Sequence, residues 1–333
     1  RGSQPIVVSR KPDSTPVSED VVAFYSELYN PGSLQVPLRP QRPHPKSSDP
    51  PTDLLKAFHL DAVQKAIRDY PVARSAGPDG IHPILYKRLA NAGLAQLLAH
   101  LFELCVRSGV TPTRWNTSLV HPIPKGGVTV QASEEAGVRA NTFQTIDQLR
   151  PISLTAVVRR LFEKCFLAGL STEEKAFHPG QAGFRSGFST VSHALVAHTD
   201  AARGDCFQAF VDLKQAYDRT LMPVLFAKLE RRGFSREKLA LLYSLSIGTR
   251  SYVNINGTLS LSAFERMRGL FQGSLLAPFL FNVYIDDVPD AVQLPTSTPD
   301  GTDTLLYADD IKMKASSRAE LREMIRRLQA WCS

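Results

Sequence analysis

The sequence is poor in cysteine, and its few cysteines are widely spaced. Only four occur among 333 residues, at positions 105, 165, 206 and 332, and none belongs to a Cys-x-x-Cys pair. Structural zinc sites usually need such close ligand pairs, and disulfide scaffolds are typical of much shorter secreted chains. The pattern therefore disfavours both classes and indicates free thiols in an intracellular protein.

Long apolar segments are also missing. No run approaches the roughly 20 residues that cross a bilayer. The first residues, RGSQPIVVSRKPDS, lack the apolar core of a signal peptide. We therefore expect a protein that is not secreted and has no membrane partner.

Charge of one sign is only slightly in excess. The 39 Lys and Arg residues outnumber the 32 Asp and Glu residues, which gives a net charge of +7. This excess is compatible with a polyanionic partner but does not identify one. With 43% hydrophobic residues, the composition is that of a globular protein. The length predicts two or three lobes, with room for a cleft between them.

Proline is concentrated near the start of the chain. Residues 31–51, PGSLQVPLRPQRPHPKSSDPP, predict an extended linker, because proline interrupts helices and central strands. Residues 126–149 are polar and aperiodic and predict a loop. The sequence begins at Arg1 rather than Met and ends within a helical pattern, so we expect it to be part of a longer protein.

Apolar periodicity over the rest of the chain predicts helices interleaved with a few antiparallel strands, which is an α+β architecture. The pair Asn256-Gly257, inside the alternating segment SYVNINGTLSL, predicts a β-hairpin. The principal helical patterns cover residues 18–29, 61–69, 83–91, 94–107, 154–170, 190–202, 222–232, 235–247 and 276–288, with a last helix from about residue 317 to the end.

Three aspartates occupy places where an acidic side chain is costly without a partner. Asp212 ends the apolar run CFQAFVDL, which predicts a buried strand, and Asp309 and Asp310 separate the apolar strands TLLYA and IKMKA. Such oxygen ligands suit Mg²⁺ or Mn²⁺, and two such ions can assist phosphoryl transfer. The alternative is that Asp309-Asp310 is a simple polar turn, since Asp is common in turns.

Seven short segments occur in an informative order. Three of them, FVDLKQAYD (210–218), GLFQGSLLAPFLFNVYIDDV (269–288) and YADD (307–310), are similar to the first, middle and third palm motifs of reverse transcriptases. The upstream segments SAGPDGI (75–81), VHPIPK (120–125), LRPISL (149–154) and QAGFRSGFST (181–190) resemble fingers segments. Each segment alone is a weak signal, but the ordered set is specific. It resembles the reverse transcriptases of retrotransposons that lack long terminal repeats.

This resemblance implies a right-hand polymerase whose small antiparallel palm sheet packs on helices. Residues 1–51 would form an N-terminal extension and linker, residues 52–205 mainly the fingers, and residues 206–333 mainly the palm, with the thumb absent. A chain without a thumb is expected to hold primer and template weakly.

The resemblance also implies roles for individual residues. Two Mg²⁺ (or Mn²⁺) ions would be held by Asp212, Asp309 and Asp310. The remaining roles divide between nucleotide binding by Lys125, Arg150, Tyr217, Gln272 and Gly273, and template binding by Gly183, Phe184 and Arg185. The alternatives are solvated surface cations for Lys125 and Arg150, and structural packing for Phe184.

Sugar selection is expected at Tyr217, five positions after Asp212. Viral RNA-dependent RNA polymerases have a second Asp at this spacing and usually a Gly where this chain has Ala308. By resemblance Tyr217 is a steric gate that leaves no room for a ribose 2′-OH, while its alternative role is packing. Asp218 would cap the following helix.

Together these observations predict an RNA-directed DNA polymerase that extends a primer 3′-OH by a two-metal mechanism. Its partners would be an RNA template, a DNA primer or nicked target DNA, and dNTPs, in the nucleus and cytoplasm. Two alternatives stay open: a catalytically inactive RNA-binding relic, and an RNA-dependent RNA polymerase, which Tyr217 and Ala308 disfavour.

Overall fold

Helices and strands alternate along the chain. The computed structural model describes residues 6–8, 17–32, 39–44, 50–125, 141–143, 146–172, 174–204, 206–297 and 303–332. The helices are α1 (Val17–Tyr29), α2 (Thr52–Lys56), α3 (Leu60–Arg68), α4 (Pro83–Leu89), α5 (Leu94–Ser108), α6 (Val157–Ala168), α7 (Thr190–Arg203), α8 (Ala216–Arg219), α9 (Met222–Arg231), α10 (Arg236–Ser246), α11 (Ala277–Ile285), α12 (Val288–Val292) and α13 (Arg318–Cys332). The strands are β1 (Ile6–Val8), β2 (Thr117–Pro124), β3 (Asn141–Phe143), β4 (Leu149–Leu154), β5 (Phe207–Asp212), β6 (Thr249–Ile255), β7 (Thr258–Arg266), β8 (Thr304–Tyr307) and β9 (Asp310–Ala315).

The strands of the described residues form three sheets. A four-stranded sheet has the order β4-β2-β6-β7, and a three-stranded sheet has the order β5-β9-β8. All neighbours in the three-stranded sheet are antiparallel. The pairs β2–β6 and β1–β3 are parallel. The prediction of helices mixed with antiparallel strands is therefore confirmed, and the two parallel pairs are additional to it.

Two hydrophobic cores organise the described chain. The larger core joins residues of most helices to the buried face of the three-stranded sheet, which contributes Leu306, Ile311 and Met313. The smaller core places α1 on the four-stranded sheet, where Tyr25 and Tyr29 pack against Phe264 of β7. Helix α1 is thus held beside the strands that reach the site described below.

Local sequence explains several element boundaries. The β6–β7 hairpin turns at Asn256 (φ 52°) and Gly257 (φ 87°), two left-handed residues of the kind that a tight hairpin requires. Helix α10 begins after Ser235, whose side chain accepts a hydrogen bond from the backbone N–H of Lys238. Helix α5 ends at Ser108 and is followed by Gly109, which has the left-handed φ of 64°. The predicted hairpin and these helices are confirmed.

Three local predictions need correction or fall outside the described residues. β3 lies within the predicted loop 126–149, of which residues 126–140 and 144–145 are outside the described ranges. Residues 33–38 and 45–49 of the predicted linker are also outside them. β5 is a strand as predicted but not a buried one, because it forms the sheet edge and leaves Phe210 71% exposed.

Among the described residues, no single helix is both long and apolar enough to span a membrane. The segments Pro83–Ala92 and Leu94–Ser108 satisfy the length and composition criteria only when taken together, and they meet at a bend of 101°.

Candidate active site

The three predicted metal-binding aspartates come together at one end of the three-stranded sheet. In the β5–β9 pairing Asp212 lies directly opposite Asp310, so the two side chains share one face of the sheet. Asp309 occupies the β8–β9 turn after Ala308, which has the left-handed φ of 54°. The backbone N–H of Leu213 donates to the Asp309 carbonyl oxygen at 3.3 Å. Backbone pairing therefore brings residues almost one hundred positions apart into one acidic cluster.

A cavity of about 720 Å³ opens above these aspartates. Its wall is built from strand ends of both larger sheets, from α8 and the turn before α11, and from α1. The predicted site residues among its lining are Lys125, Arg150, Phe184, Asp212, Tyr217, Gln272, Gly273, Asp309 and Asp310. Gly183 and Arg185 do not line it.

The carboxylates of this cluster repel one another. Burial raises the pKa of Asp309, and the charges of Asp212 and Asp310 raise it further, while Arg150 opposes the shift. Such a set of oxygen ligands attracts hard divalent cations. Among the described residues, however, no three His, Cys, Asp or Glu side chains already surround a point where a metal ion could sit. The protein supplies the ligand chemistry, and further oxygen ligands would be needed to complete a coordination shell.

Two cations line the same cavity from neighbouring segments of the four-stranded sheet. Arg150 of β4 pairs with Ile123 of β2, and Lys125 follows the end of β2. Both cationic side chains are exposed to solvent, and Lys125 Nζ donates to the Asp147 carbonyl oxygen at 2.8 Å. They therefore bring positive charge into the cavity that the aspartates also line, and the charge of Arg150 lowers the pKa of Asp309.

Tyr217 lines the cavity and also packs against the core. Its ring stacks on Phe281 of α11, with centroids 4.5 Å apart and an interplanar angle of 18°. Burial, and then the charge of Asp309, raises the pKa of Tyr217 above its ordinary value. Its buried hydroxyl has no hydrogen-bond partner among the described residues. The ring therefore has both the predicted position beside the cavity and the alternative packing contact.

The Gln272-Gly273 turn is fastened to β4. The backbone N–H of Ser153 donates to the Gln272 carbonyl oxygen at 2.7 Å. Gly273 has φ 125°, and a Cβ at this position would lie 2.6 Å from the Ser153 carbonyl oxygen. Because Gly273 has no Cβ, the backbone of the turn can pack closely against β4.

The three predicted template-binding residues are consecutive in the sequence, but the fold places them in different surroundings. Gly183 packs behind the aspartate turn, where a Cβ would lie 2.4 Å from the Ala308 backbone nitrogen. Phe184 has a positive φ of 56° and is 60% exposed at the cavity edge. Arg185 turns away, with its guanidinium 4.3 Å from the ring centroid of Phe188. Of the three, only Phe184 meets the cavity.

Comparison with known proteins identifies the family. The sequence model described as "Reverse transcriptase (RNA-dependent DNA polymerase)" matches residues 124–333. The chain belongs to the reverse transcriptase family. The resemblance inferred from the sequence motifs is thereby confirmed.

Curated relatives agree with this reverse transcriptase assignment. The chain is 27% identical over 314 residues to the probable RNA-directed DNA polymerase from transposon BS of Drosophila melanogaster, covering 90% of this chain and 32% of that protein. It is 28% identical over 297 residues to the RNA-directed DNA polymerase from mobile element jockey of the same species, covering 83% of this chain and 30% of that protein. It therefore spans about a third of the length of these relatives.

Two buried acids beside this reverse transcriptase cavity were not predicted as site residues. Asp218 lies within α8 and bonds to Tyr29 and Gln272, so its predicted role as a helix cap is wrong. Glu163 of α6 is fully buried and accepts hydrogen bonds from Ser274 and Leu275, just after the Gln272-Gly273 turn. For both Asp218 and Glu163, the only signal in the sequence was an acidic residue within a segment that folds as a helix.

Proposed function

We propose that this chain is the catalytic core of an RNA-directed DNA polymerase that extends a primer 3′-OH with dNTPs on an RNA template. The observation that carries the proposal is the shared cavity, which Asp212, Asp309 and Asp310 line together with Lys125 and Arg150. A site that combines carboxylates with cations suits a metal-bound triphosphate. The DNA strand would be a primer or nicked target DNA. DNA synthesis would take place in the nucleus and cytoplasm.

The proposal assigns the predicted polymerase parts to the chain. Residues 52–205 are mainly the fingers and residues 206–333 mainly the palm, with residues 1–51 as an N-terminal extension and linker. The three-stranded sheet that presents the aspartates is the palm sheet. Arg150 lies on β4 and Lys125 directly follows β2; both strands come from the fingers segment and share a sheet with β6 and β7 of the palm segment.

Six of the predicted residues that line the cavity take the following roles in this proposal. Asp212, Asp309 and Asp310 would hold two Mg²⁺ or Mn²⁺ ions, which when bound stabilise the charge on the attacking and leaving oxygens. Lys125 and Arg150 bind the triphosphate. The planar guanidinium of Arg150 can donate two parallel hydrogen bonds to a phosphate, whereas Lys125 acts as a point charge. Phe184, exposed at the edge, offers a ring on which a template base can stack.

Primer extension tests the proposed function. The protein should lengthen a DNA primer on an RNA template with dNTPs in Mg²⁺, and should stop when EDTA is added. Extension with NTPs in preference to dNTPs would indicate an RNA-dependent RNA polymerase instead. RNA binding without extension in either nucleotide set would indicate a catalytically inactive relic.

Tyr217→Val should weaken the selection of dNTPs over NTPs. The smaller side chain leaves space where a ribose 2′-OH fits, and a packed wall does not readily expand, so we expect kcat/KM for CTP to rise relative to dCTP by roughly 10- to 100-fold. The measurement is that ratio in single-nucleotide extension.

Tyr217→Phe is the matched control for this prediction. It keeps the ring on Phe281 and removes only a hydroxyl that has no partner among the described residues. Selection should stay as in the wild type. If Tyr217→Val slows dCTP and CTP incorporation equally, the ring serves packing and not selection.

A further inference from the structure

Helix α7 lies on the face of the three-stranded sheet that also presents the aspartates. Its less exposed residues, His193, Ala197 and Asp200, recur at helical spacing and form the side of the helix nearest the sheet. The His193 ring meets Tyr307 of β8 edge-on, with centroids 6.3 Å apart. Asp200 is only 7% exposed on a helix that is otherwise largely exposed. A buried acid needs partners, and β9 supplies them.

Two lysines of β9 share the Asp200 carboxylate. Lys312 Nζ donates to Oδ2, and Lys314 Nζ donates to Oδ1 at 3.2 Å. Lys314 has a second ion pair with Asp303, at 3.5 Å, whereas Lys312 pairs with Asp200 alone among the described residues. Burial would raise the pKa of Asp200, but the hydrogen bonds and charges of the two lysines lower it below its ordinary value. Asp200 is therefore an ionised carboxylate and the counter-ion of Lys312.

Lys312 is a close neighbour of two metal-binding aspartates. It follows Asp310 by two residues on β9, so both side chains lie on the same face of the sheet. In the β5–β9 pairing Phe210 lies opposite Lys312, and Asp212 lies opposite Asp310. Same-face neighbours are roughly 7 Å apart along a strand and roughly 7–8 Å apart on the diagonal, which a lysine can span with its four-carbon stem. Both aspartates are therefore within reach of the Lys312 ammonium.

The ion pair draws this ammonium away from the aspartates. Asp212, Asp310 and Lys312 line a second cavity, of about 420 Å³, between the sheet and α7. Asp200 and Lys314 line a different cavity, of about 230 Å³. Because Asp200 bonds to both lysines, its carboxylate holds the Lys312 ammonium toward the Lys314 end of β9. Without Asp200, the second cavity gives the ammonium room to turn, and the negative charge of the aspartates attracts it.

We propose that Asp200 is a positioning residue that holds the Lys312 ammonium away from Asp212 and Asp310 and so keeps both carboxylates available to divalent cations. The proposal rests on the proposed function above, because that function assigns the metal ions to these aspartates. Asp200 acts only through Lys312. A tethered ammonium competes with a metal ion for the same oxygens, and a sufficient concentration of metal overcomes this competition. Loss of Asp200 should therefore weaken metal affinity more than it lowers the maximal rate.

The test measures Mn²⁺ affinity by electron paramagnetic resonance in the wild type and in Asp200→Asn. This variant keeps the shape of the side chain and removes the charge that holds Lys312. We expect the Kd of Mn²⁺ to rise about tenfold, since a unit charge a few ångströms from the site acts on the bound cation. In primer extension the Mg²⁺ concentration that gives half-maximal rate should rise by a similar factor, while kcat at saturating Mg²⁺ changes less.

Two further variants distinguish release of Lys312 from other effects of the substitution. Asp200→Asn combined with Lys312→Met has no ammonium to compete, so its Mn²⁺ affinity should return to that of the wild type. Asp303→Asn is the matched control, because Asp303 is also buried and pairs with Lys314. It removes the same charge from the same group of side chains but leaves Lys312 on Asp200. Its Mn²⁺ affinity should stay close to that of the wild type.

The binding measurements separate this proposal from the proposed function. A protein that shows these changes in Mn²⁺ affinity but makes no DNA contradicts only the proposed function. Unchanged affinity in Asp200→Asn, or equal weakening in Asp200→Asn and Asp303→Asn, would overturn the positioning role even if the protein makes DNA. So would failure of Asp200→Asn to fold when Asp303→Asn folds, because the freed Lys312 would then have found no new partner in the aspartates. Absence of Mn²⁺ binding by the wild type would overturn both proposals.

Discussion

Replacing Asp309 by Asn is expected to reduce DNA synthesis roughly thousandfold without unfolding the protein. The substitution keeps the shape of the side chain but removes a full negative charge from a cluster proposed to hold hard cations, an effect worth several kcal/mol in the transition state. The rate of primer extension in Mg²⁺ measures the loss. Mn²⁺ affinity, followed by electron paramagnetic resonance, should weaken in parallel and gives a readout that needs no catalysis.

The same variant should be as stable as the wild type or more stable. Burial and the charges of Asp212 and Asp310 raise the pKa of Asp309, so its charged form is less favourable in the folded chain than in the unfolded one. A neutral Asn relieves that repulsion at neutral pH. The melting temperature should therefore stay or rise while synthesis is lost.

Asp61→Asn is a suitable control, because Asp61 is an exposed residue of α3 away from the cavity. It should leave both extension and Mn²⁺ binding unchanged. Near-normal synthesis by Asp309→Asn would contradict the assignment of the acidic cluster.

The positions of the aspartates could be predicted because strand patterns are local. Alternating and apolar runs on both sides of Asp309-Asp310 indicate a hairpin, and the run before Asp212 indicates a strand. The pairing that sets Asp212 opposite Asp310 joins distant parts of the chain, and only the order of the family-like motifs suggested it. Burial of β5 was mispredicted because its apolar residues lie on both faces of an edge strand, where one face stays open to solvent.

The buried polar links could not be predicted from local patterns. Tyr29 and Asp218 are 189 positions apart, and Asp218 and Gln272 are 54 apart. Asp218 follows a strand and stands in a short helical turn, which is also the setting of an ordinary helix cap. Its partners exist only after α1 has packed on the four-stranded sheet, so the interaction depends on tertiary packing and leaves no periodic signal in the sequence.

Glu163→Gln is expected to destabilise the fold by about 3–5 kcal/mol, as breaking a buried ion pair does. Glu163 is fully buried on α6 and accepts hydrogen bonds from Arg159 Nε at 2.8 Å, and from Ser274 Oγ and the Leu275 backbone N–H, each at 2.9 Å. The Gln amide would turn an NH₂ toward one of these donors and would leave the Arg159 guanidinium without its counter-ion. Chemical denaturation measures the change in the free energy of unfolding.

The chain contains a matched control for this prediction, since Glu103 and Arg107 form an ion pair four residues apart on α5, at 2.7 Å, with both side chains exposed to solvent. Because water screens and solvates an exposed pair, Glu103→Gln should cost no more than about 0.5 kcal/mol. A double variant, Arg159→Met with Glu163→Gln, should lose less stability than Glu163→Gln alone, because it buries no unpaired charge. Equally small losses of unfolding free energy in Glu163→Gln and Glu103→Gln would contradict this prediction. They would show that the Arg159–Glu163 pair does not stabilise the packing of the turn after Gln272-Gly273 against α6.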